Sequence, residues 1–335
     1  MRTVFPGFYN PTDDDFKKMW ETGLFVFDTN VLLDLYRYSE ETVDNLISIM
    51  DKLKERIWIP YRVAFEYHRR LNDIIQSQAI SYTEAIKALS EFNNKFKEKR
   101  SHPFLKNDLH EEVDIFCKKF DIELIEKQSL IKKLILENPI KEKLADIIQD
   151  RVGKSFTDEE LKKIYEEGSI RYANRTPPGY KDLKNKQGNE VYGDLIIWKE
   201  ILKKSGESDL PIIFVTGDVK EDWFQIVMGM TVSPRPELVE EIKTKKNVLF
   251  YIYPTDSFLR YAHELLQIEI KEGTLTEIGD IIKEAKINTM RLEEEDSNSS
   301  SDTIDKEISE ETAETNDEST ESNTPNEGEK SEASV

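Results

Sequence analysis

Residues 24–28 read Leu24-Phe25-Val26-Phe27-Asp28, four apolar side chains in a row closed by an aspartate. A strand with one wet face alternates apolar and polar residues, whereas an unbroken apolar run suits a strand buried on both faces of a parallel sheet. Asp28 then falls at the carboxyl end of that strand. A second run of the same design, PIIFVTGD at residues 211–218, closes on Asp218. Helical sequence separates the two runs, and parallel strands need such crossovers. The expected class is α/β: a three-layer α/β/α sandwich with a central parallel sheet and a large helical insertion.

Working outward, Val43, Leu46, Ile47, Met50 and Leu53 recur at helical spacing within residues 41–55, and RIWIP at residues 56–60 reads as another strand. From Arg62 a long helix is expected, through Phe65, Leu71, Ile74, Ile75, Ala85, Leu89 and Phe92, with Pro103 as its break. Residues 108–167 are charged and amphipathic, and Thr157 with Glu160 forms a capping-box pair that opens a helix. The loop RTPPGY (175–180) cannot be helical, and periodicity resumes at YGDLIIW (192–198). NVLFYIY (247–253) supplies a further strand, and Thr255-Asp256-Ser257 reads as the cap of a last helix. The chain divides into a first part of the α/β domain (1–79), a helical insertion (80–188), a second part (189–270), a helical extension (271–292) and an acidic tail (293–335).

In parallel sheets ligands bind outside the carboxyl ends of the strands. Asp28 and Asp218 belong to that edge, Asp222 lies one helical turn beyond Asp218, and Asp194 follows Gly193 at a helix start. Two carboxylates about 4 Å apart repel by about 4 kcal/mol at an effective dielectric near 20, so such a group calls for a cation. All-oxygen donors select hard ions, Mg²⁺ or Mn²⁺. One or two such ions can bind a scissile phosphate, activate water and stabilise the leaving oxygen, which makes phosphodiester hydrolysis the natural chemistry.

Four blocks in order, FVFDTNVLLDLYR (25–37), WIPYRVAFEYHRR (58–70), YGDLIIWKEIL (192–202) and IIFVTGDVKEDWF (212–224), resemble the PIN-like nuclease family, in particular its larger bacterial members with a helical insertion. PRPELVEEI (234–242) and the closing strand extend the likeness. The resemblance implies an acidic metal site of Asp28, Glu66, Asp194 and Asp218, with Asp222 as the alternative to Asp218. It implies that Asn30 and Thr216 orient the first and last carboxylates, and that RNA rather than DNA is the substrate of a metal-dependent endonuclease. Departures from this reading are a catalytically inactive PIN-like binding module and a haloacid-dehalogenase-type phosphohydrolase. The latter expects an acid where Asn30 stands.

The formal charge of −20 argues against a polyanionic partner until its distribution is read. Residues 293–335 hold 16 acidic and 2 basic residues, so the rest of the chain carries only −6. That tail has almost no large apolar residues and is expected to be disordered. Two segments are locally basic, residues 95–106 (KFKEKRSHPFLK) and 171–186 (RYANRTPPGYKDLKNK). Arg171, Arg175, Tyr180, Lys181 and Lys184 of the second are candidates for holding nucleic acid, Tyr by stacking and the cations on phosphates. A single cysteine, Cys117, and four histidines exclude a structural zinc site. No apolar run approaches the ~18 residues of a membrane span, and no secretory signal opens the chain, so cytoplasmic residence is expected. A homo-oligomer and a regulatory protein partner stay open.

Overall fold

The computed structural model describes residues 1–97, 103, 105–267 and 273–283. The acidic tail, residues 284–292 of the expected extension, and half of the basic segment 95–106 lie outside the described residues. Residues 1–280 belong to one compact unit; beyond it residues 281–283 are helical.

Helix α1 (Asp13–Thr22) opens with a reciprocal capping box between Thr12 and Asp15 and carries three acids in its first turn, where they complement the helix dipole. It leads into β1 (Leu24–Phe27), in which every residue is buried. α2 (Thr29–Asp34) follows at once, capped by Asp28. α3 (Glu40–Leu53), capped by Ser39, turns the chain back. The stretch expected as a strand at 56–60 is reduced to two parallel bridges, Phe25 with Ile57 and Ile59 with Val152. Pro60 follows Ile59 and lacks an N–H, so the ladder cannot extend.

The insertion grows from α4 (Tyr61–Lys95), which runs unbroken through residue 79. It pairs with α5 (Asn107–Lys133); Gln128 donates to the Ala79 carbonyl at 3.1 Å and to the Thr83 hydroxyl at 2.7 Å. α6 (Pro139–Ile148) and α7 (Asp158–Ala173) return the chain, the latter with the expected Thr157–Glu160 box. α8 (Gly193–Ser205) precedes β2 (Ile212–Thr216). A hairpin, β3 (Phe224–Val227) and β4 (Met230–Pro234), then leads to α9 (Pro236–Lys246), β5 (Phe250–Pro254) and α10 (Thr255–Leu266). Thr255 is the first helical residue, not the cap, and its buried hydroxyl has no hydrogen-bond partner.

The sheet is parallel, in the order β1-β2-β5, with Phe27 opposite Val215 and Val215 opposite Tyr253. Ile57 bridges the other side of β1. The chain therefore leaves β1 toward one side and returns through β2 on the other, which makes the β1–β2 seam a topological switch point. Phe25 and Phe27 pack against Trp20 of α1 and Phe258 of α10. Phe250 meets Trp198 of α8 on the opposite face. These are the three layers of the α/β/α sandwich. Among the described residues no helix is long and apolar enough to cross a membrane.

Candidate functional site

At the switch point Asp28 leaves β1 as a buried carboxylate with every near donor aimed at it. Its Oδ1 accepts from the Thr29 N–H at 2.7 Å; its Oδ2 accepts from Asn30 Nδ2 and the Thr216 hydroxyl, each at 2.7 Å. Asn30 Oδ1 accepts in turn from the Gly217 N–H at 2.7 Å, and the Thr216 oxygen accepts from the Asp218 N–H at 3.0 Å. Asp28 thus caps α2 and also faces the edge of the sheet. Burial pushes its carboxyl up to about 6; the Thr216 bond opposes that, while the charges of Asp218 and Glu66 add to it.

Glu66 comes from the second turn of α4. Its Oε1 accepts from Arg62 Nε at 2.6 Å, and its Oε2 lies 3.4 Å from the Thr29 hydroxyl. The helical ion pair and the approach to the Asp28 loop are therefore both present. The start of α8 passes so close that a Cβ at Gly193 would stand 3.1 Å from Glu66 Oε1. That approach brings in Asp194, whose Oδ2 accepts from Trp223 Nε1 at 3.2 Å. Burial holds the Asp194 carboxyl well above the usual carboxylate range, and Asp182 and Asp218 reinforce it against Lys186 and Lys220. Asp218 itself accepts from Lys220 Nζ at 2.9 Å.

Two further residues expected at the site, Asp222 and Arg171, are buried. Asp222 is fully buried, and its Oδ2 accepts from the backbone N–H groups of Gly179 and Lys181 at 3.1 and 3.2 Å. It clasps the 177–186 loop with that oxygen, and its second oxygen is buried without a partner. Arg171 is also buried: it pairs with Glu241 at 2.9 Å and Glu167 at 3.2 Å and reaches the Pro177 carbonyl. All its donors face inward, so it offers nothing to a ligand at the surface. Of the remaining loop candidates, Arg175 and Lys184 are exposed, whereas Tyr180 and Lys181 both meet Glu221.

Sequence reasoning missed Asp182, Lys186 and Lys220. Asp182 is buried in a short 3-10 turn (Tyr180–Lys184), with Lys220 Nζ on Oδ1 at 3.1 Å and Lys186 Nζ on Oδ2. Both lysines pull its carboxyl below the usual range despite burial. The available signal was an acid alone in the basic run YKDLK. Gly179 begins this turn with φ of +90°, a left-handed conformation, and a Cβ there would meet Asp194 Cβ at 3.0 Å. The loop thus crosses directly over Asp194.

Among the described residues no three His, Cys, Asp or Glu side chains stand close enough together to hold a metal ion. Glu66 and Asp218 are paired with cations of the chain, Arg62 and Lys220. The donor set is nonetheless all carboxylate, and the Lys220 ammonium among Asp218, Asp194 and Asp182 is a stand-in cation. Carboxylate is the donor type that a hard divalent ion takes.

A family model described as "PIN like domain" matches residues 24–238, which span all four acids, the insertion and the seam between β1 and β2. No curated protein and no solved structure matches the chain.

Proposed function

Because the chain belongs to the PIN-like domain family, we propose that it is a Mg²⁺- or Mn²⁺-dependent nuclease, an endonuclease acting on RNA in preference to DNA. The observation that carries this reading is Asp28. A carboxylate held by three hydrogen bonds, its pKa raised by burial and further by the charges of Asp218 and Glu66, is an anionic site short of positive charge.

A divalent ion bound there would polarise the scissile phosphate and lower the pKa of attacking water. The chain's own part is positioning. Thr216 and Asn30 fix Asp28, Arg62 fixes Glu66, and Trp223 fixes Asp194. Arg175 and Lys184, exposed on and beside the loop that crosses Asp194, would hold the phosphates of the bound strand.

A second reading, a catalytically inactive PIN-like module that binds nucleic acid or a protein, is favoured by the internal cations on Glu66 and Asp218. Incubating the wild type and Asp28→Asn with single-stranded and duplex RNA and DNA, with Mg²⁺, Mn²⁺ or chelator, separates the two. Metal-dependent cleavage by the wild type alone supports the nuclease. Equal binding with and without metal, and no cleavage, supports the module.

A further inference from the structure

On the first turns of α4 two aromatic side chains stand in solvent. Tyr61 is 39% exposed and Phe65 44%, and at a spacing of four residues they share one side of the helix. Their rings are nearly parallel, with 14° between the planes and 6.4 Å between the centroids. Arg69, exposed as well, continues the stripe one turn later, where its guanidinium meets Glu190 at 2.7 Å. The adjoining stripe, at the same spacing, is Arg62, Glu66 and Arg70. Phe65 is therefore the sequence neighbour of the acid that reaches the Thr29 hydroxyl, and the Arg62 guanidinium that holds Glu66 also lies 5.8 Å from the centre of the Phe65 ring.

A single exposed apolar residue is ordinary on a protein surface. This pair differs in its setting. Residues 61–70 carry three arginines against one acid, so the rings lie in a cationic stretch of helix. Flat apolar faces beside arginines match a polyanion that carries flat apolar groups: rings stack on bases and guanidinium groups hold phosphates. The Arg69–Glu190 pair is about half exposed on both sides, so giving up Glu190 for a phosphate costs little. In a duplex the base faces are already stacked on one another, whereas an unpaired strand can offer them to a protein.

We propose that Tyr61 and Phe65 form a base-stacking platform for an unpaired nucleic-acid strand, with Arg69 on its phosphates, directly beside Glu66. The proposal rests on the reading of this chain as a nucleic-acid-binding protein and adds the class of strand that it takes. Ribose and deoxyribose are not distinguished at this contact, because a ring face meets only the base. Arg175 and Lys184 would hold any phosphate backbone; the two rings select strands whose bases are free.

The test is binding by the full chain, read by fluorescence anisotropy in chelator, to end-labelled unpaired RNA, unpaired DNA, an RNA duplex and an abasic DNA strand. Phe65→Leu keeps an apolar side chain and removes the ring. It should weaken binding of both unpaired strands about tenfold and leave the duplex and the abasic strand unchanged, and Tyr61→Leu should do the same. Phe65→Trp should bind as wild type does. The four native tryptophans, Trp20, Trp58, Trp198 and Trp223, are all buried, so the introduced indole is the exposed one. Unpaired strands should quench its emission and the abasic strand should not. Binding of unpaired strands by Phe65→Leu as tight as by wild type, or an indole that bound strands leave unquenched, overturns the platform and leaves the nucleic-acid reading standing. An equal loss on the duplex and the abasic strand overturns it too, since the contact is then not with bases. No binding of any strand by wild type overturns that reading and the platform with it. Because the chelator excludes metal-dependent cleavage, none of these results depends on the chain being catalytic.

Discussion

The Thr216 hydroxyl donates to Asp28 Oδ2 at 2.7 Å, tying the end of β2 to the end of β1 where the two strands part. The same oxygen accepts from Asn30 Nδ2 at 3.1 Å and from the Asp218 N–H at 3.0 Å, so one threonine orients both strand-end acids. Thr216→Val keeps the shape and removes all three bonds. Cleavage should fall at least about tenfold, the equivalent of one charge-assisted hydrogen bond. Asp28→Asn should abolish cleavage and move the melting temperature by only a few degrees, because the lost hydrogen bonds are offset by removal of a buried charge. Cleavage rates and thermal melts of the two variants decide this.

Glu200 provides a pH test outside the proposed metal site. It is buried on α8 and accepts from the Arg62 N–H at the start of α4; burial raises its carboxyl to about 7, against the Arg62 contacts and Lys203. Its folded pKa exceeds its unfolded one, so the native state binds more protons between about 4.5 and 7, and stability contributed by the neutral form is lost as pH rises through that window. Glu200→Gln keeps an acceptor for α4. It should match wild type near pH 4.5 and exceed it at pH 8 by up to about 3 kcal/mol in urea unfolding. Equal unfolding curves at pH 8 would contradict this.

Asp222 is expected to matter for the loop and not for metal. Asp222→Ala strands the buried Gly179 N–H and the half-buried Lys181 N–H and should cost about 1–3 kcal/mol. Asp222→Asn retains a carbonyl oxygen for them and should keep both stability and Mn²⁺ affinity near wild type. A large loss of Mn²⁺ binding in Asp222→Asn would return it to the ligand set.

Arg171 and its loop neighbours should separate cleanly. Arg171→Met removes one of the partners of Glu241, leaving Trp198 and Lys245 on it, and frees the Pro177 carbonyl; it should destabilise the fold by about 1–3 kcal/mol. The double variant Arg175→Ala, Lys184→Ala should be as stable as wild type and bind single-stranded RNA more weakly, with a shallower dependence on salt. Unfolding curves and fluorescence anisotropy read the two effects apart.

The layers and the placement of Asp28 and Asp218 were legible because unbroken apolar runs ending in aspartate have few other uses. Residues 56–60 misled because their pattern is that of a strand, while Pro60 limits the pairing to single bridges. The β3–β4 hairpin left no signal, since most of its residues are exposed or half-buried and do not alternate. Asp182 was hidden by its neighbours: charge averaged over a basic run conceals an acid whose partners, Lys186 and Lys220, only the fold brings to it. Arg171 erred in the opposite direction, because an arginine beside a Pro-rich loop reads as exposed until Glu241 arrives from 70 residues further along.

Helix α4 carries Glu66 in its second turn and runs to Lys95 at the far end of the insertion. At 1.5 Å per residue its tip stands about 40 Å from Glu66. Its near end is anchored by Glu200 and by buried Val63 and Tyr67. A long arm on a fixed fulcrum attenuates motion toward the pivot. Whatever the hairpin of α4 and α5 touches, the displacement it imposes reaches Glu66 greatly reduced, so this outer surface can diversify in sequence while the geometry at Asp28 stays mechanically insulated.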